Sequence, residues 1–398
     1  MEVFDMYMEE TGAFRLPVMV MRGGTSKGVF ILEDQLPENH QDWDPMLLSL
    51  MGSPDKKQID GLGGSQSVTS KVAIVKKSSR PDADVDYTFA QVSVDKPIVS
   101  YKGNCGNISS AVGPFAIEQG LVDPREGITP IRIFNTNTGK IIIAHVPTVN
   151  GKVEYQGDFS IAGVPGTAAP IRLTFTEPAG TLGKGLLPTG NAVDILDVPG
   201  FGPVPVSIVD AANPLVFAKA RDLGLSGLEL PDELNGCPEK LELLERVRGM
   251  AAVKLGLISD FRRSPWETPG IPKMTFVSEP ETYLASDGTE IKKESIDLLS
   301  RMMSMQKAHP NYAMTGAMCT AAAAVIPGSI VNQVLPAQTD PGSIRIGHPG
   351  GILECGVNYH MDSRQNHPLP CIDSTFGFRT ANLLLEGTAR IQKRRTNS

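Results

Sequence analysis

Residues 103–120, GNCGNISSAVGPFAIEQG, decide how the rest of this chain is read. They read as a helix entered through glycine and built largely of Gly, Ser, Ala and Asn. A helix of such small side chains suits a place where a strongly curved sheet closes around it, because larger residues would not fit inside. A second stretch of the same kind, MTGAMCTAAAAV, runs from Met314.

Both stretches have the same flanks. Upstream stands a β-run opening on Pro-Val, LPVMVMRGGTSKGVF from Leu16 and VPVSIVDAANPLVF from Val204. Downstream comes an Ile-Arg-Ile strand, a polar turn and another apolar run, IRIFNTNTGKIII from Ile131 and IRIGHPGGILECGV from Ile344. Three features in one order are the mark of an internal repeat. They predict an α+β protein of two pseudo-symmetric domains, 1–195 and 196–398. Each is a β-barrel-like sheet wrapped around a central helix, and the two helix starts face each other across one cleft.

The remaining punctuation agrees. Gly and Pro divide the chain into short β-runs such as SKVAIVKK, DYTFAQVSV, KIIIAHVP and PKMTFVS. Further helices are expected over 231–256, broken or begun near Pro238, and over 294–306.

Composition narrows the function. The 398 residues are 41% hydrophobic and 20% charged, with a formal net charge of −7. No block of like charges offers a nucleic-acid or anionic-membrane surface, and the basic tail IQKRRTNS reads as frayed. The acidic opening, with Glu2, Asp5, Glu9 and Glu10, lacks the apolar region of a secretory signal, and no run is long enough to span a membrane. A cytoplasmic protein is expected. The five cysteines are scattered without a CxxC pair, and the six histidines form no HExxH pattern, so no disulfide framework or metal site is expected.

Helix starts attract anions through free N–H groups and the helix dipole. Two facing each other suit a di- or tricarboxylate. Gly103 and Gly106 allow close backbone approach, and Asn104 and Asn107 can donate to carboxylate oxygens. Cys105 lies where the same field favours a thiolate, which makes it a candidate acid or base. Lys71 follows the glycine–hydroxyl stretch DGLGGSQSVTS, with Gly64, Ser65 and Ser67, and reads either as a general base or as a carboxylate clamp. Arg22, Thr25, Ser26 and Lys27 in MRGGTSKGVF offer a second anion-binding turn. Cys237, Cys319, Cys355 and Cys371 read as structural.

Taken together, MRGGTSKGVF, GLGGSQSVTSK, GNCGN, VDAANP, MTGAMCTAAAAVIPG and GHPGG resemble the PrpF-type isomerases, relatives of the diaminopimelate epimerases. The resemblance covers about residues 15 to 390. It implies a cofactor-independent isomerase that moves a proton and a double bond in a small unsaturated di- or tricarboxylate: aconitate, 2-methylaconitate, methylitaconate or oxalomesaconate. The acid/base pair it implies falls on Lys71 and Cys105. Asn213, in AANP, matches a substrate-holding asparagine of the epimerases, and Lys273, Thr315, Gly316 and His348 join the substrate-binding set. A homodimer and a link to an aconitase-like dehydratase belong to the same expectation.

Two departures matter. Thr315 and Gly316 stand at the second helix entry, where the epimerases carry a second cysteine, and this disfavours a two-thiol racemase. Gly350 in GHPGG replaces a serine often found in the family. The rival readings are an amino- or hydroxy-acid epimerase and a non-catalytic helper of an iron–sulfur dehydratase.

Overall fold

The computed structural model describes residues 13–361 and 369–392. The acidic opening and the basic tail beyond Gln392 lie outside the described residues. Mixed α/β architecture is built on one large sheet, with few helices, and two of these helices run through its interior.

The first central helix, Gly106–Glu118, buries every residue from Gly106 to Ile117. It has no polar face for water, so its hydroxyls bond backwards instead: Ser110 Oγ donates to Asn107 O at 2.7 Å and Ser109 Oγ to Cys105 O at 3.1 Å. Such enclosure demands small residues. A Cβ on Gly113 would stand 2.7 Å from a methyl of Val146, so the strand Lys140–Val149 can approach only a glycine there. The second central helix, Met314–Ala324, is buried along its whole length.

Around the first helix the pairing begins with the hairpin of Ala13–Gly23 and Ser26–Leu32. Ser26–Leu32 pairs in parallel with Lys71–Lys77, which pairs antiparallel with Val85–Val92. Val85–Val92 then runs parallel to Gly127–Asn135, followed by antiparallel Lys140–Val149 and Ile171–Thr176. The ring is completed by the end of the chain: Pro370–Arg379 pairs with Ile171–Thr176, and Ala381–Gln392 pairs with Ala13–Gly23.

Around the second helix, the hairpin Gly202–Ala211 and Asn213–Lys219 leads in parallel to Lys273–Ser278. Antiparallel Leu298–Ser304, parallel Ile344–His348, then antiparallel Gly351–Met361 and Pro370–Arg379 follow. A bridge from Ala179 to Ala211 joins this run to the segment after Ile171–Thr176.

Helix is found at Pro231–Asn235 and Pro238–Lys254, with the expected break at Pro238. The helix expected over 294–306 is instead a short turn of 3-10 helix, Lys293–Ser295, followed by strand Leu298–Ser304. Six of the seven strand residues are buried, Ser300 and Arg301 among them, so the segment is covered on both faces and shows no alternation that would distinguish strand from helix. Among the described residues no helix is long and apolar enough to cross a membrane.

Candidate active site

Lys71 is the first residue of strand Lys71–Lys77 and is 6% exposed. The antiparallel register sets Gln91 directly opposite, and Lys71 Nζ donates to Gln91 Oε1 at 2.5 Å. The ammonium also lies 5.2 Å from the centre of the Phe89 ring. Burial lowers the Lys71 pKa, and the neighbouring Cys105 raises it through charge and a hydrogen bond.

Cys105 is the N-cap residue of the first central helix, in extended conformation. Its side chain makes no capping bond, which leaves the thiol free to face Lys71. The second helix start abuts this point. A Cβ on Gly106 would fall 2.8 Å from Met314 Cβ and 3.1 Å from Thr315 N, so only glycine lets the two helix ends meet. Thr315 Oγ1 reaches Asn104 O at 3.4 Å, and the Asn104 side chain accepts from Ser109 and Asn135.

Cations surround the pair. Half-buried Lys273 opens strand Lys273–Ser278, and its approach is held by Arg248, which pairs with Glu245 and donates to Thr268 O and Ile271 O. Burial first, then repulsion from Lys71, brings Lys273 down to about 8; Cys105 pulls the other way, and Arg248 adds a smaller repulsion. Arg379, buried at the end of Pro370–Arg379, donates through Nε to Asn107 Oδ1 at 2.8 Å, while Asn107 Nδ2 donates to Thr25 Oγ1 at 3.1 Å. Burial lowers Arg379 to about 10, with Cys355 and Cys105 acting the other way.

Two buried histidines complete the ring. His309 Nδ1 accepts from Asn311 N at 3.0 Å, and His348 Nδ1 accepts from Gly350 N at 3.1 Å. Because Nδ1 accepts in each, the ring proton of each neutral imidazole sits on Nε2, which has no partner among the described residues. Burial, then the charges of Lys71 and Lys273, carries His309 down to about 3. His348 is pushed well below its usual value by burial, then by Arg379 and Arg301. Both are neutral donors near neutral pH.

Among the described residues no carboxylate lies within ion-pair distance of Lys71, Lys273 or Arg379. Buried charge without a counter-charge is costly, so this arrangement calls for an anion from outside. A cleft of about 610 Å³, lined in part by Ser65, Ser67, Gln91, Asn235 and Pro310, opens beside Gln91.

The other expected residues divide into two groups. Asn213 Oδ1 and Ser26 Oγ are buried without hydrogen-bond partners, each at the turn of its hairpin, and a Cβ on Gly103 would lie 2.7 Å from Asn213 Oδ1. Arg22, in contrast, spends Nη1 on Gly24 O and on Thr380. Lys27 sits opposite Arg22 in the hairpin. Ser65 donates to Gln58 Oε1 and Lys57 O within its own loop, Gly64 packs on Thr69, and the Ser67 carbonyl accepts from Gln91. Gly316 lies under Met302. A Cβ on Gly350 would stand 1.9 Å from Asn311 Oδ1, so a serine there requires Asn311 to move.

Gln91, His309 and Arg379 were not legible as site residues. His309-Pro310-Asn311 does repeat the His348-Pro349-Gly350 pattern, a signal available in the sequence. Gln91 and Arg379 reach the site only through strand register and the return of the last strands.

A lysine and a thiol thus meet at the junction of two helix starts, ringed by cations that have no carboxylate within ion-pair distance among the described residues. The chain belongs to the PrpF protein family, whose model matches residues 13–392. It is 44% identical to a 3-methylitaconate isomerase of Eubacterium barkeri, over 95% of this chain and 98% of the relative. It is 42% identical to a 2-methyl-aconitate isomerase of Shewanella oneidensis, over 94% and 96%. A crystal structure of methylitaconate-delta-isomerase superposes with a TM-score of 0.75 at 43% identity, covering 96% of each chain. A probable proline racemase from Agrobacterium radiobacter, at 12% identity and a TM-score of 0.54, shares the fold alone.

Proposed function

We propose that this protein is a cofactor-independent isomerase of a small unsaturated di- or tricarboxylate, shifting a proton and the double bond between allylic carbons. The observation that carries the reading is the Lys71–Cys105 pair enclosed by Lys273, Arg379 and two neutral histidines with no protein carboxylate to pair them. Isomerases named for methylitaconate and 2-methylaconitate among its relatives support the same class. Those two compounds, aconitate and oxalomesaconate form the substrate panel.

In this reading the substrate carboxylates lie against Arg379, Lys273 and the Nε2–H groups of His309 and His348. Lys71 and Cys105 divide the proton transfers: one removes the allylic proton, the other returns a proton at the far carbon. Charge spreads into the conjugated carboxylate as a dienolate, and fixed donors aimed at it lower the barrier. The free N–H groups of the abutting helix starts point at the same charge.

The halves 1–195 and 196–398 are read as related domains. What supports this is the common order of pairings after each hairpin, together with a central helix entering at the same place in both. The second half lends Pro370–Gln392 to the first. A cytoplasmic homodimer working beside an aconitase-like dehydratase belongs to this proposal as well. The epimerase reading is weaker because Cys319, the thiol of the second helix, is buried and directed at Val209 O.

The test is turnover in D2O with the substrate panel, followed by NMR. Expected is deuterium at the new saturated carbon together with a moved double bond. Deuterium on a carbon that stays saturated, without any change in double-bond position, overturns the allylic reading in favour of an epimerase; no incorporation with any substrate favours the helper.

A further inference from the structure

Gln91 belongs to no motif and lies one strand away from the glycine–hydroxyl loop, yet its side-chain oxygen accepts from the Lys71 ammonium at 2.5 Å. Its amide has a fixed sense. Nε2 donates to Ser70 O at 2.9 Å and to Ser67 O at 3.1 Å, so the oxygen has one direction left, toward Lys71. The loop supplying those two carbonyls is itself pinned. Gln58 Nε2 donates to Ser70 Oγ at 2.7 Å and to Ser53 Oγ at 3.0 Å, and Gln58 Oε1 accepts from Ser65 N at 2.9 Å. The stretch GLGGSQSVTS thus folds into a bracket for an amide rather than a cradle for a ligand.

We propose that Gln91 is a positioning residue that aims Lys71 at the substrate and sets the balance between its charged and neutral forms. This rests on the acid/base reading of Lys71. A neutral acceptor stabilises the ammonium that burial disfavours, without locking it as a carboxylate would. The other titratable groups facing Lys71 come from different elements: Cys105 from the first helix cap, Lys273 from the strand it opens, and His309 from the loop before the second helix. Burial opposes the charged form of Lys71, and Cys105 favours it.

The test is the pH profile of kcat in Gln91→Met and Gln91→Glu. Losing the acceptor in Gln91→Met should move the limb that reports Lys71 to lower pH, and a carboxylate in Gln91→Glu should move it to higher pH, each by roughly one unit or more. The signs hold whether Lys71 gives or takes the first proton. In Gln91→Met, kcat should fall by about tenfold or more while KM changes less. Because both variants also lose donors to the loop, melting curves and polycarboxylate binding are recorded alongside, and 15N titration of the lysine ammonium reads its pKa directly. An unmoved limb and unmoved lysine titration in folded variants overturn the proposal. Full turnover in Lys71→Met overturns the acid/base reading beneath it, and a separate Lys71→Met assay distinguishes the two failures.

Discussion

Lysine opens the strand that follows the hairpin in each half, Lys71 in Lys71–Lys77 and Lys273 in Lys273–Ser278, and the two are furnished differently. Lys71 has a glutamine oxygen at 2.5 Å and a thiol beside it. The Lys273 ammonium has no hydrogen-bond partner among the described residues, and the charges acting on it are mostly repulsive. Two strand openings that each follow a hairpin thus carry unlike groups. In the proposed reading, one is held to exchange a proton and the other is left to receive a negative charge. The helix starts differ in the same sense: Cys105 caps the first, whereas the second begins at Ala313 and Met314 with its thiol a turn inside.

The largest effect should separate the two lysines. Lys71→Met or Lys71→Arg should lose at least roughly a hundredfold in kcat, the lower range for removing a positioned acid or base. Arginine keeps the charge but does not surrender a proton near neutral pH. Lys273→Met should instead raise KM by roughly tenfold, about 1.4 kcal/mol of binding, with a smaller change in kcat. Normal turnover in Lys71→Arg would make both lysines clamps and erase the distinction.

The two helix thiols give the next contrast. Cys105→Ser should abolish deuterium incorporation while polycarboxylate binding survives. Cys319→Ala should leave turnover intact and cost about 1 kcal/mol of stability, the ordinary size for a core change. Alkylation followed by mass mapping should label Cys105 early and a bound tricarboxylate should protect it; Cys319 and Cys355, buried and with pKa values driven up by burial, should label last. Labelling of Cys319 ahead of Cys105 would reverse the assignment of the two helix starts.

A smaller effect follows from Lys273 titrating at about 8. Its charge is present below that pH and lost as pH rises through it, so polycarboxylate affinity should weaken on the alkaline side, and binding there should take up a proton. Calorimetric titration in buffers of different ionisation enthalpy measures that uptake. Lys273→Arg should flatten the dependence; if it persists unchanged, the proton enters elsewhere.

How far the sequence reached depends on whether a feature is local. The central helices were legible because enclosure leaves its mark on composition, as in the unbroken Ala321–Ala324 run. Lys71 and Cys105 stood out through neighbouring glycines. Strand Leu298–Ser304 was misread because burial on both faces erases the alternation that marks a strand. Arg379 was missed for a different reason: its partner Asn107 is 272 positions away, and no local pattern foretells that meeting.

The return of the chain over Pro370–Gln392 also gives the molecule a timetable. Only Thr380 separates the two strands there; one edge of that ribbon seals Ile171–Thr176 and the other Ala13–Gly23, while Arg379 sits at the join. On the ribosome, the first strands therefore wait for Pro370–Gln392 before their edges are covered. A nascent chain halted before Pro370 should bare those edges, scatter light as it associates, and bind no polycarboxylate. Anion capture thereby becomes a sign that Pro370–Gln392 has been made, and a chain truncated before Pro370 that captured the anion equally well would remove that link.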